Sequence, residues 1–107
     1  MEEMNGAMTE RIAERFRALA DATRIRILVR LQVGECNVST LAQELGVGQA
    51  SVSKHLAVLR AVGFIGVRRD GTQAFCSILD PALPKLCRLM CDGVARHAKA
   101  QQRSLGL

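Results

Sequence analysis

The chain has 107 residues, with 15 Lys and Arg against 10 Asp and Glu, for a net charge of +5. That length supports one hydrophobic core, and a composition of 49% hydrophobic and 23% charged residues excludes a disordered chain. Charges at Glu2, Glu3, Glu10, Arg11, Glu14, Arg15 and Arg17 exclude a signal peptide, and no stretch approaches the ~18 apolar residues of a membrane span. A cytoplasmic protein with no membrane partner is expected.

There is no Trp or Tyr and only three Phe, so Leu, Ile, Val, Ala and Met must build the core. A domain of this size buries only about 60–70% of its unfolded surface, so dimerisation that hides one more apolar helix would help. The positive charge is spread rather than massed in a tail, a mild excess that suits a polyanion-binding surface.

Residues 1–8 are polar and without period, and read as a flexible tail before a single domain over 9–100; residues 101–107 read as a second tail. From Thr9, a plausible N-cap, the apolar positions Ile12, Ala13, Phe16, Leu19 and Ala20 fall at helical spacing. Asp21 caps a second helix through Ile25, Ile27, Leu28 and Leu31, which stops at Gly34. A short amphipathic helix, Ser39–Leu45, closes at Gly46, and after Gly46-Val47-Gly48 a further helix over about 49–61 buries Val52, Leu56 and Leu59. Residues 64–79 then change period around Asp70-Gly71, the strongest short hairpin signal. Pro81 and Pro84 open a last helix over about 82–100, with Leu83, Leu86, Cys87, Met90, Cys91, Val94 and Ala98 on one face.

Two helices joined by a glycine turn make a helix-turn-helix, and the hairpin makes it winged: a mainly α fold with a small β-hairpin. In Gln49-Ala50-Ser51-Val52-Ser53-Lys54-His55, Val52 points inward while the rest is small or polar. A helix entering the major groove needs that profile, because small residues permit close approach and Gln, Ser, Lys and His reach base edges and phosphates. Gln49 suits a bidentate bond to adenine, and Lys54 suits guanine or a phosphate. Ser39 and Thr40, at a helix N-terminus, can hold a phosphate, and Arg68, Arg69 and Gln73 flank the tip of the wing. The competing reading of such a polar run is an ordinary solvated helix face. The scarcity of aromatics argues against stacking on single strands, so double-stranded DNA is the expected partner.

Leu19-Ala20-Asp21-Ala22-Thr23-Arg24-Ile25-Arg26-Ile27-Leu28 resembles the A-L-A-[DN]-x-T-R-x-x-I-L signature of the ArsR/SmtB repressors. Leu41-Ala42-Gln43-Glu44-Leu45-Gly46, the run Ser51–Arg60 and the Asp70-Gly71 wing resemble the same family in the same order, so the likeness covers about residues 12–94. The resemblance implies a dimeric winged-helix repressor, paired through its first and last helices, that leaves its operator on binding a metal or changing thiol state. A twofold dimer would read an inverted-repeat operator.

The family's metal sites transfer badly. Its thiolate site uses a C-x-C within E-x-C-V-C-D-L, and Asn37 and Ser39 stand at those positions, with Cys36 one place out. Its last-helix site uses D-x-H…H-x-x-E; Asp80 matches the first member, but Ala82, Gly93 and Arg96 occupy the others. What remains is Cys87 and Cys91, four apart on one helix face. Their Cβ separation of ~5–6 Å is too wide for an unstrained disulfide, which needs ~3.8 Å. Two thiolates so spaced can clamp a soft metal or metalloid ion if a further ligand joins, or they can fill a core as small hydrophobes. No metal is needed for folding. Cys36 and Cys76 read as core filler, His55 as facing DNA and His97 as a surface residue.

The expected function is therefore a DNA-binding transcriptional repressor, released by a soft metal, metalloid or thiol-reactive effector at the last-helix cysteines. The alternatives are a winged-helix repressor without cysteine sensing and a dimeric protein-interaction module on the same scaffold. An enzyme is not expected: two His at these spacings supply neither paired carboxylates, nor a nucleophile with a base, nor a phosphate-binding glycine loop.

Overall fold

The computed structural model describes residues 5–106. These form α1 (Gly6–Leu19), α2 (Ala22–Leu31), β1 (Cys36–Asn37), α3 (Val38–Leu45), α4 (Gln49–Ala61), β2 (Ile65–Asp70), β3 (Gln73–Ile78) and α5 (Ala82–Ser104). The architecture is mainly helical, with a three-stranded antiparallel sheet in the order β1-β3-β2.

Side-chain caps set the helix starts. The Asn5 carboxamide oxygen accepts from the Met8 N–H at 2.9 Å, so α1 begins at Gly6 and not after Thr9. Thr9 lies inside the first turns, where its hydroxyl donates to the Asn5 carbonyl. The tail expected over 1–8 thus gives up residues 6–8 to the helix, and its residues 1–4 lie outside the described range. Asp21 caps α2 as expected, accepting from the Arg24 N–H at 3.0 Å. Asn37 caps α3 through the Thr40 N–H at 2.7 Å, so α3 opens at Val38, one residue before the expected start. The last helix runs on to Ser104, because Gln101, Gln102 and Arg103 are good helix formers. Of the tail expected over 101–107, only Leu105 and Gly106 lie beyond α5 among the described residues, and Leu107 falls outside them.

The core lies where α2, α3, α4 and the sheet meet. Ile27, Leu28, Leu41, Val52, Leu59, Ile65 and Cys76 are fully buried there, and Leu31, Leu56, Phe64 and Leu83 extend the cluster. Each large aliphatic side chain contributes roughly 1.5–3 kcal/mol by leaving water. No buried side-chain nitrogen or oxygen lacks a partner among the described residues.

Two glycines set the geometry of the reading head. Gly46 ends α3 with φ 70°, a left-handed cap that turns the chain into α4. In the wing, Asp70 pairs with Gln73, so the two-residue loop is Gly71-Thr72 rather than Asp70-Gly71. Gly71 has φ 63° and, among the described residues, no non-glycine has positive φ, which at this loop is the pattern of a type II′ turn. β1 was not expected; two residues are too short to show a period, and only pairing with β3 defines it.

Candidate nucleic-acid interface and last-helix thiols

α4 buries Val52, Leu56 and Leu59 against the core, and that anchoring fixes which residues face outward. Gln49, Ala50, Ser53 and Lys54 are exposed, and Ser51 is half-buried. The Gln49 amide nitrogen donates to the Ser39 hydroxyl at 3.1 Å, joining the first turns of α3 and α4. Thr40 is half-buried, with its N–H already given to Asn37. Of the expected pair, Ser39 therefore keeps the freer position at this helix end.

His55 departs from the expected placement. Its ring turns from the outward face of α4 toward the start of α2, with Nδ1 3.2 Å from the Arg24 guanidinium and 3.9 Å from the Asp21 carboxylate. The cause is Arg24. This side chain donates from Nε to the Ala18 carbonyl at 2.6 Å and from a terminal nitrogen to the Arg17 carbonyl at 3.2 Å. It closes the C-terminal end of α1 and reaches α4 through His55. The Arg24 N–H, as the main cause, holds the Asp21 carboxyl below its ordinary pKa, with His55 and Arg24 charge adding to this.

The wing arginines differ from each other. Arg68 donates two hydrogen bonds to Glu35, at 2.8 and 2.7 Å, and its guanidinium lies 4.6 Å over the Phe75 ring. That bidentate pair lowers the Glu35 pKa and raises that of Arg68. Arg68 is thus already engaged by a carboxylate, whereas Arg69 is exposed and joins no ion pair among the described residues. Gln73 accepts from the Asn37 amide at 3.2 Å, tying the wing to the cap of α3.

Sequence reasoning missed Glu35 and Asn37, which order the wing, and Arg60, which with Arg69 borders a cleft of about 510 Å³ between α4 and the wing. Ser53, Ala57, Val67 and Cys76 also line it. The spacing of Arg60 seven residues after Ser53, two helical turns along one face, was the available signal.

On α5, Cys87 is half-buried and Cys91 exposed. Burial pushes the Cys87 thiol up. Both line a hollow of about 210 Å³ between α2 and α5, with Val29, Gln32, Pro84, Arg88 and Asp92. Among the described residues, no group of three or more His, Cys, Asp or Glu side chains is placed to hold a metal ion. Cys36 and Cys76 lie in the core, and His97 is exposed. The expected apolar stripe of α5 is not covered: of its 23 residues only Leu83 is buried, while Met90 and Val94 are 62% and 64% exposed. No helix of the described residues is long and apolar enough to cross a membrane.

These features match known proteins. A family model described as "Bacterial regulatory protein, arsR family" matches residues 21–66. The "HTH-type transcriptional regulator KmtR" of Mycobacterium tuberculosis is 47% identical over 60% of this chain, a match spanning about half (49%) of that relative. The "Probable mercury resistance operon repressor" of Streptomyces lividans is 38% identical over 79% of this chain and 68% of its own length. Among solved structures, a homodimeric winged helix-turn-helix DNA-binding domain from Mycobacterium bovis superposes with a TM-score of 0.80. It shares 27% identity, over 89% of this chain and 88% of the other. The first of these relatives is described as a transcriptional regulator and the second as a probable repressor. The helix-turn-helix and its wing agree with the fold of that neighbour, and the chain belongs to the ArsR family of bacterial regulatory proteins.

Proposed function

We propose that this protein is a cytoplasmic, homodimeric repressor that reads double-stranded DNA at an inverted-repeat operator through α4 and its wing. The observation that carries the reading is the division of α4: Val52, Leu56 and Leu59 are locked in the core, while Gln49, Ala50, Ser53 and Lys54 stand exposed and Ser53 lines one cleft with Arg60 and Arg69. A helix so anchored can enter the major groove with small residues leading and polar ones in reach of bases, while the wing arginines meet phosphates.

Two features support pairing through α1 and α5. Phe16, Leu89, Met90 and Val94 are more than half exposed, an apolar surface that a monomer would leave in water. The radius of gyration is 16.5 Å, against about 13 Å for a compact domain of this length; α5 packs on the core through Leu83 in its first turn, while nearly all of its residues from Arg88 onward are exposed. A soft metal, metalloid or thiol-reactive effector at Cys87 and Cys91 is the proposed release signal. The hollow between α2 and α5 gives it room, and a further ligand would come from the partner helix across the seam. Binding there changes operator affinity only by favouring one arrangement of the paired helices over another.

The test is a DNA-binding titration on the protein's own promoter at several salt concentrations. Lys54→Glu combined with Arg69→Glu should abolish binding and leave the dimer intact. Cys87→Ser with Cys91→Ser should bind DNA like the parent yet fail to release it on adding arsenite, cadmium or peroxide. Binding that survives the charge reversals sinks the reading-head assignment in favour of a protein-interaction module. Normal release in the double serine variant removes those cysteines from the release mechanism.

A further inference from the structure

The two core cysteines are 40 positions apart in the chain, yet the sheet pairs them. Cys36 on β1 stands directly opposite Cys76 on β3. Residues opposite one another on antiparallel strands point to the same face, with Cβ atoms about 4.5–5.5 Å apart. Both are free thiols and both are buried, at 4% and 0% exposure. The Cys36 thiol donates to the Asn37 carbonyl at 3.6 Å, and its influence is felt at Cys76, whose pKa burial and the neighbouring sulfur both raise.

We propose that Cys36 and Cys76 form a two-thiolate clamp for a soft, two-coordinate divalent cation, of which mercuric ion is the type. Three physical arguments carry this assignment. The first is span. A metal–sulfur bond of about 2.3 Å makes a linear S–M–S unit roughly 4.6 Å long, which suits the separation of opposed β-strand side chains. A disulfide asks for a shorter Cβ separation of about 3.8 Å.

The second argument is charge. Two thiols react with one divalent ion to give a neutral bis-thiolate and two released protons, so a completed site leaves no uncompensated charge in an apolar core. A zinc site needs four donors, and no third His, Cys, Asp or Glu is in place here among the described residues. The site thus selects by coordination number as well as softness. The third argument is access and environment. Cys76 lines the cleft between α4 and the wing, which gives an ion a route in. Burial holds both thiols above their ordinary pKa, with Arg30 at Cys36 and Arg60 at Cys76 acting the other way, so it is the metal ion that must displace the two protons.

The clamp is separate from Cys87 and Cys91 and does not depend on the proposed DNA reading. It would bind the wing strand to the residues that cap α3, because Cys36 immediately precedes the capping Asn37.

The experiment uses the full chain, kept anaerobic and treated with mercuric chloride in the presence of competing glutathione, followed by native mass spectrometry and ultraviolet thiolate-to-metal absorption. The Cys87→Ser, Cys91→Ser double variant should gain one mercury atom less two protons per chain. Adding Cys36→Ala or Cys76→Val to that background should remove the adduct, with far-ultraviolet circular dichroism reporting that the helices remain. A double variant that takes up no mercury, or takes it up with loss of a single proton, overturns the clamp, and so does an adduct that persists in the folded triple variants. Because the double variant is scored by itself, the result stands even if a core substitution unfolds the protein. Because no DNA is present, failure here is distinct from failure of the operator reading.

Discussion

Arg24 offers the sharpest test of how the outer helix is tied to the reading helix. Its guanidinium makes three contacts: to the Ala18 carbonyl at 2.6 Å, to the Arg17 carbonyl at 3.2 Å and to His55 Nδ1 at 3.2 Å. The two carbonyls belong to the last turn of α1, where a cation meets the negative end of the helix and where the Arg17 carbonyl also accepts from the Ala20 N–H. A hydrogen bond from a charged donor contributes about 1.5–3 kcal/mol when desolvated. Arg24 is half-buried, so the lower end of that range applies to the two carbonyl bonds, and the contact to His55 adds less. Arg24→Ala should then destabilise the fold by about 2–4 kcal/mol, lowering the thermal midpoint of a domain this size by roughly 10–25 °C. Urea and thermal unfolding at one fixed protein concentration would measure this, since any dimer makes the midpoint concentration-dependent. Lysine has one compact ammonium in place of a planar fork, so Arg24→Lys should recover less than half of the loss. A change in Arg24→Ala below about 0.5 kcal/mol, the scale of an ordinary surface substitution, would refute the idea that this side chain joins α1 to α4.

Wing chemistry yields two further expectations. Arg69→Ala should weaken operator binding and reduce the slope of log affinity against log salt by about one, as loss of a single phosphate contact does. Glu35→Gln should act oppositely, tightening binding because Arg68 loses its competing carboxylate; unchanged or weaker affinity would show that Glu35 only positions the wing. Acid should destabilise the fold through Glu35, Asp21 and Asp80, whose carboxyls are held below their ordinary values by Arg68, by the Arg24 N–H and by the Ala82 N–H respectively. Depressed folded-state values mean that this stability is fully present above the unfolded values of about 4 and is lost as pH falls through the lower folded ones. Stability measured from pH 6 downward should therefore decline below about pH 4, and Glu35→Gln should make that decline shallower. A parent and a variant with the same acid limb would contradict the assignment for Glu35.

Much of the architecture was already legible in local chemistry. The periods of Ile27, Leu28 and Leu31, and of Val52, Leu56 and Leu59, placed one face of α2 and of α4 in the core, because a 3.6-residue repeat leaves few alternatives. Asp21 and Gly46 marked a helix start and a helix stop through chemistry confined to a few residues. The same locality made the outward residues of α4 readable once its buried stripe was known.

Long-range choices were not encoded locally. Nothing near Arg68 indicates that Glu35, 33 positions earlier, holds it, and nothing near His55 indicates that Arg24 draws it toward α2. The type II′ turn shifted the hairpin by one residue from the Asp-Gly reading because strand register, set by packing Ile65 and Cys76 inward, decides which residues become the loop. The four cysteines show the division most clearly. Helical spacing alone put Cys87 and Cys91 on one face, whereas only the closing of β1 onto β3 set Cys36 opposite Cys76. Periodicity reports what one element does with its own side chains; meetings between elements are settled by packing, and it is packing that decides which charges and thiols share a site.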